Sequence, residues 1–214
     1  MSATSAFVHR FEPATQRDAP ALLLLHGTGG DENDLVPLGR MIAPGAALLS
    51  VRGKVLEHGM PRFFRRLSEG VFDEADVMRR AHELADFVDA ARTAYDIAAP
   101  IALGYSNGAN IAAAMLLLRP QTLRGGMLLR AMTPLSDPPS PDLAGRPVLI
   151  LSGRQDPIVT AANGEKLAAL LVAAGARVER QVIPAGHALS QGDVTLAQRW
   201  LQRVCAGADV EAAG

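Results

Sequence analysis

The chain has 214 residues, 49% of them apolar and 20% charged, which is material for the core of one domain and too apolar for a disordered chain. Lys and Arg number 21 against 22 Asp and Glu, a net charge of −1, so no whole-molecule positive field exists to hold nucleic acid or an anionic membrane. The single cysteine, Cys205, excludes an internal disulfide and any site built from several thiolates.

Met1–Ala6 is short and polar, and the first apolar run, Ala21–Leu25, is too short for a secretory signal. A strand near His9 is expected to precede it. His26-Gly27-Thr28-Gly29-Gly30 then reads as a turn, Asp34–Ile42 as a helix and Ala47–Val51 as a strand. Arg52–Val71 carries Gly53, Gly59, Pro61 and Gly70 around Phe63-Phe64 and is expected to be a long loop. Asp73–Tyr95 places Val77, Leu84, Phe87, Val88 and Ala91 on one helical face. Strand Ile101–Gly104, helix Asn107–Leu118 and strand Gly126–Leu129 come next. Ile111–Leu118, the longest strongly apolar stretch, stops at Arg119-Pro120, far short of the roughly 20 residues of a membrane span.

The five prolines of Arg130–Pro147 forbid a long helix there. Strand Val148–Leu151, helix Ala161–Ala174, strand Val178–Ile183 and helix Asp193–Cys205 complete the pattern, with Ser190 and Asp193 resembling a capping box. Most of the strand runs are apolar without alternation, as in a parallel sheet covered on both faces. The expectation is a single α/β domain over residues 1–206, with a mostly parallel central sheet flanked by helices on both faces. Residues 207–214 are expected to form a flexible tail, and the protein to be soluble and cytoplasmic.

Gly104-Tyr105-Ser106-Asn107-Gly108 lies between a strand and a helix, the context of a nucleophile elbow. A sharp strand-to-helix turn strains its central residue and leaves no room for side chains two positions either side. The competing reading is an ordinary glycine-rich turn. A serine hydroxyl needs a base, and the base an orienting acid. In the order Ser, Asp, His, the candidates are Ser106, then Asp156 just past Val148–Leu151, then His187 just past Val178–Ile183. All three fall at the C-terminal edge of the expected sheet, where open α/β sheets bind ligands. His9, His26, His58 and His82 read as structural or solvated. Asp142 is a weaker candidate acid than Asp156, and Asp193 reads as a helix-start residue. The amides of Thr28, in the glycine-rich turn, and Asn107, at a helix N-terminus, are candidate oxyanion donors. A phosphate loop is disfavoured, since the turn lacks both G-x-G-x-x-G and G-K-[ST].

Leu25 to Gly30, Gly104 to Asn110, Gly153 to Asp156-Pro157 and Gly186-His187 together resemble the α/β-hydrolase superfamily, over roughly Phe7 to Val204. Within it the chain is similar to the compact phospholipase/carboxylesterase branch, which holds acyl-protein thioesterases and is related to dienelactone hydrolases. The resemblance implies an α/β-hydrolase fold and a serine carboxylic-ester hydrolase with no metal or organic cofactor. Ser106, Asp156 and His187 would be its triad, and Thr28 and Asn107 its oxyanion amides. Acyl-protein thioesterases carry a Ser-Trp-Phe-Asp type segment where this chain has Arg62-Phe63-Phe64-Arg65. Dienelactone hydrolases use Cys where this chain has Ser106.

Cap domains of this fold usually enter where Arg130–Pro147 stands, and that proline-rich segment cannot build one. An uncapped, open cleft suited to small or soluble esters is therefore expected, with Met132 and Leu135 as candidate walls beside a surface-packing alternative. Phe63 and Phe64 are expected to line the acyl side. Arg62, or else Arg65, is expected to pair with a substrate carboxylate, against the alternative that these arginines are solvated or bound to Glu57 or Glu69. Thioester hydrolysis, C–C cleavage and perhydrolysis remain open with the same triad, as does a non-catalytic binding protein, which would need a broken triad. The expected partner is a small-molecule ester, with neither nucleic acid nor membrane, and a homodimer is left open.

Overall fold

A computed structural model describes residues 7–17 and 19–212. Strands β1 (His9–Glu12) and β2 (Ala21–Leu25) precede helix α1 (Val36–Ile42) and strand β3 (Ala47–Val51). Two short hairpins follow, β4 (Val55–Glu57) with β5 (Met60–Arg62), and β6 (Arg66–Ser68) with β7 (Val71–Phe72). Helix α2 (Glu74–Tyr95) leads to β8 (Ile101–Tyr105), α3 (Asn107–Leu118) and β9 (Gly125–Leu129). Last come β10 (Pro147–Gly153), α4 (Ala161–Ala173), β11 (Arg177–Ile183) and α5 (Gln191–Ala212).

Seven strands form one sheet in the order β1-β3-β2-β8-β9-β10-β11. Every pairing is parallel except β1 with β3, so this is the expected mostly parallel sheet. Layers on both faces explain the unbroken apolar runs. In β2, Leu23 and Leu25 join a core with α2, α3 and α4, while Leu22 and Leu24 join a second core with α1 and α5. Every position of β2 is buried, so each is apolar. Helix α2 begins where Asp73 Oδ1 accepts the Asp76 amide at 3.1 Å and ends at Asp96 in the left-handed region, φ 52°. Between these caps, Val77, Ala81, Leu84, Val88 and Ala91 bury one face at helical spacing.

Two expectations are corrected. Arg52–Val71 is not an irregular loop but carries the two hairpins, whose strands are too short to show a period-two pattern. Helix α5 does not end at Cys205 as expected but continues to Ala212; the last two residues of the expected tail, and the polar start Met1–Ala6, lie outside the described residues. Between β9 and β10 the chain forms no regular element, so no helical cap stands over the sheet edge. Among the described residues no helix is long and apolar enough to cross a membrane.

Candidate active site

Four parallel strands, β2, β8, β10 and β11, end at the same edge of the sheet. The segments leaving them carry Thr28, Ser106, Asp156 and His187 respectively. Ser106 is the hinge between β8 and α3, with φ 52° and ψ −113°, a conformation an L residue keeps only when its surroundings hold it. They do: its amide donates to Leu129 O at 2.8 Å and its carbonyl accepts from Asn110 N at 3.0 Å. The flanking glycines are required by space. A Cβ on Gly104 would stand 2.6 Å from Gly108 O, and one on Gly108 would collide with the backbone of Leu25.

His187 Nε2 lies 3.0 Å from Ser106 Oγ, and its Nδ1 lies 2.8 Å from Asp156 Oδ2. Asp156 Oδ1 accepts the amides of Ile158 and Val159 at 2.8 and 2.9 Å. Burial alone would raise the Asp156 pKa. The bonds from Val159, His187 and Ile158 outweigh it and hold the carboxyl below its ordinary value, so it stays ionised. With the carboxylate accepting from Nδ1–H, Nε2 presents a lone pair to the hydroxyl. Such a hydroxyl–imidazole–carboxylate chain can take up and return a proton.

Thr28 and Asn107 line the same cavity as Ser106 and His187, and its volume is about 390 Å³. Neither of their amides donates to a group among the described residues, so both remain available beside the hydroxyl. The Thr28 loop is braced from beneath. Gly29 N donates to Pro61 O at 2.9 Å, and Arg62 Nη1 donates to Thr28 Oγ1 at 2.8 Å. His26 is buried, with Nδ1 donating to Gly27 O at 2.6 Å and Nε2 accepting Gly53 N–H at 3.0 Å. Burial holds its pKa below the ordinary imidazole value, consistent with a neutral structural strut.

The predicted substrate residues divide. Met132 lines the cavity, its amide bonded to Asn110 Oδ1 at 2.8 Å. Phe63 and Phe64 do not line it, which corrects the expectation. The Phe63 ring packs 4.8 Å from His26 and Phe64 packs edge-on to Phe72 at 5.0 Å, both inside the core. The aromatic rings that do line the cavity are those of Phe72 and Tyr105. Leu135 is buried in the core and is absent from the wall. Arg65 points to the start of α2, ion-paired with Asp73 at 2.7 Å. Arg62 lines the cavity but is 4% exposed, tied to Thr28, to Phe64 O at 3.2 Å and to Glu57 at 3.2 Å.

Sequence reasoning missed Arg66, Ile158 and Val159, all on the wall. It also missed Arg130, whose fully buried guanidinium donates to Gly186 O and Ala188 O, the carbonyls flanking His187, at 2.9 and 3.2 Å. The residues leaving each strand end carry that signal, but an arginine there reads as solvated. Among the described residues no group of three or more His, Cys, Asp or Glu side chains could hold a metal ion.

Residues 8–205 match the family model described as phospholipase/carboxylesterase. The chain is 47% identical over 194 residues to "Putative hydrolase MhqD" of Bacillus subtilis (strain 168), covering 90% of this chain and 96% of that protein. The crystal structure of the Bacillus cereus carboxylesterase superposes with a TM-score of 0.90 at 44% identity, covering 93% of this chain and 95% of that one. The structure of YahD with malic acid does so with a TM-score of 0.86 at 31% identity, covering 92% and 98%. The chain therefore belongs to the phospholipase/carboxylesterase family of α/β-hydrolases and is a hydrolase of carboxylesterase type.

Proposed function

We propose that the protein hydrolyses small carboxylic esters through an acyl-enzyme on Ser106. The observation that carries this reading is the unbroken chain from Ser106 Oγ through His187 to Asp156, at 3.0 and 2.8 Å. His187 Nε2 takes the hydroxyl proton as Oγ attacks the ester carbonyl, and Asp156 stabilises the imidazolium and its tautomer. The amides of Thr28 and Asn107 hold the oxyanion, each donor contributing on the order of 10²–10³-fold. His187 then protonates the leaving alcohol, and a water repeats the cycle to release the acid.

Ser106→Ala and His187→Ala should each lower kcat for a short activated ester by about 10⁴-fold or more, with the circular dichroism of the fold unchanged. More than about a tenth of the activity surviving in Ser106→Ala rules the nucleophile out. A thioester or diketone turned over well ahead of its matched ester would transfer the reading to those bonds. Failure of a fluorophosphonate to label Ser106 would favour the non-catalytic binding protein.

The cavity also supports a substrate class: esters whose acyl or alcohol part bears a carboxylate. Arg66 is held by a single bond, Nε to Glu57 Oε1 at 2.9 Å, which leaves both terminal nitrogens without a protein partner among the described residues. Arg62 lines the same wall, and its Nη2 makes no hydrogen bond among the described residues. Forked guanidinium donors suit a carboxylate, and the related YahD was crystallised with malic acid, a dicarboxylic acid.

A further inference from the structure

Arg130 follows β9, the strand between the one that delivers Ser106 and the one that delivers Asp156. Its side chain is fully buried, and its backbone is held at φ 58°, a left-handed conformation that costs energy for a residue with a side chain. Every nitrogen of the guanidinium is used. Nε donates to Gly186 O, Nη2 donates to Ala188 O, and Nη1 reaches Leu151 O at 3.4 Å. Nη1 and Nη2 together grip both oxygens of Asp193 at 2.7 and 3.0 Å. Asp193 in turn accepts from Ser190 N and Oγ at 2.8 and 2.9 Å, which anchors the fork to the start of α5.

The consequence falls on His187. Three successive carbonyls of its loop accept from side chains: Gly186 and Ala188 from Arg130, and His187 itself from Tyr105 OH at 3.1 Å. A buried ion pair gains little stability over well-packed apolar residues, because desolvation offsets the attraction. It does impose geometry, and only a planar fork can reach two carbonyls and a carboxylate at once.

We propose that Arg130 is a positioning residue for His187, its guanidinium fixing the 186–188 loop so that the imidazole stays within reach of both Ser106 and Asp156. The proposal rests on His187 being the base of the reaction. Arg130→Met should lower kcat for a short neutral ester about 10–100-fold with KM changed less than threefold, since small misplacements of a reacting group cost rates of that order. Arg130→Lys keeps the charge without the fork and should not restore kcat.

The deciding measurement is a double-mutant cycle. In a His187→Ala background, Arg130→Met should leave the residual hydrolysis rate unchanged while lowering the thermal midpoint as it does in the wild-type background. An equal rate loss in both backgrounds, an unchanged kcat in Arg130→Met, or full recovery in Arg130→Lys would each overturn the proposal. His187→Ala retaining wild-type activity would instead overturn the base assignment itself. Should Arg130→Met fail to fold with Asp193 left unpaired, Arg130→Met/Asp193→Asn removes both charges and carries the same cycle.

Discussion

Glu57 stands between two arginines: Oε1 accepts from Arg66 Nε, and Oε2 lies 3.2 Å from Arg62 Nη1. Burial lowers the pKa of Arg62, the neighbouring Glu57 carboxylate works against that, and the guanidinium is committed to Phe64 O, Thr28 Oγ1 and Glu57. One of its bonds holds Thr28, whose amide is a proposed oxyanion donor. Arg66 has no such duty, and its side chain is 31% exposed. The two substitutions should therefore separate. Arg66→Ala should lower kcat/KM for a carboxylate-bearing ester about tenfold, the low end for a charge-assisted hydrogen bond because solvent screens it, and barely alter a neutral ester of equal size. Arg62→Ala should impair both esters. Equal losses on the two esters in Arg66→Ala would remove the carboxylate class from consideration.

At the scale of an element, the β4–β5 hairpin is the floor of the Thr28 loop. Pro61 O, Arg62 and, through Gly53 N, His26 all tie the two together, and Phe63 N donates to Asn107 Oδ1 at 2.7 Å on the other side. One short hairpin thus braces both segments that carry the proposed oxyanion donors. Gly53 is where the two arms of this hairpin segment meet, since a Cβ there would run into the Arg62 backbone and stand 2.7 Å from Phe63 N. Gly53→Ala should cost about 1–3 kcal/mol of stability by overpacking and should lower kcat for charged and neutral esters alike. Chemical denaturation and kinetics on the same preparation check both halves. A stability loss with kcat intact would show that the hairpin does not set the geometry of the loop.

At the scale of the whole molecule, pH acts through groups that the fold keeps in one charge state. Burial keeps His26 neutral, with a folded pKa below the ordinary 6.5. Its contribution to stability is complete above about pH 6.5 and is lost as pH falls from there towards the folded value, because the unfolded chain gains the proton first. For Asp76, burial raises the pKa but bonds from Arg79 and the Arg65 amide lower it further, and Asp156 is likewise lowered. Such carboxylates stabilise the fold above their unfolded pKa values of about 4 and lose that effect as pH falls through their lower folded values. The thermal midpoint should be flat near neutrality, decline below about pH 6.5 and fall steeply below about pH 4. In His26→Gln the first decline should disappear, leaving only the acid limb. A first decline that persists in His26→Gln would assign it to another group.

The order of the central-sheet strands and of the helices, and the sheet edge on which the candidate residues meet, were legible from the residues, whereas the two hairpins were not. A parallel strand buried on both faces must be apolar throughout, and each such run here ends just before a polar or glycine-rich segment. The meeting of Ser106, Asp156 and His187 at one place was legible for the same reason, since parallel strands deliver their following residues to one edge, and Gly104 and Gly108 mark the turn that needs them. What side chains in irregular segments face was not legible. Nothing local to Arg62-Phe63-Phe64-Arg65 states that the two rings turn into the core while Arg62 reaches Thr28, because pairing of short hairpins sets those directions. Nor does anything local to Arg130 mark a fully buried charge. Its partners Gly186, Ala188 and Asp193 lie 56 to 63 residues away. Local periodicity reports how each segment meets water or core, whereas the pairing of a buried charge depends on which distant groups the finished sheet brings beside it, and only the tertiary structure decides that.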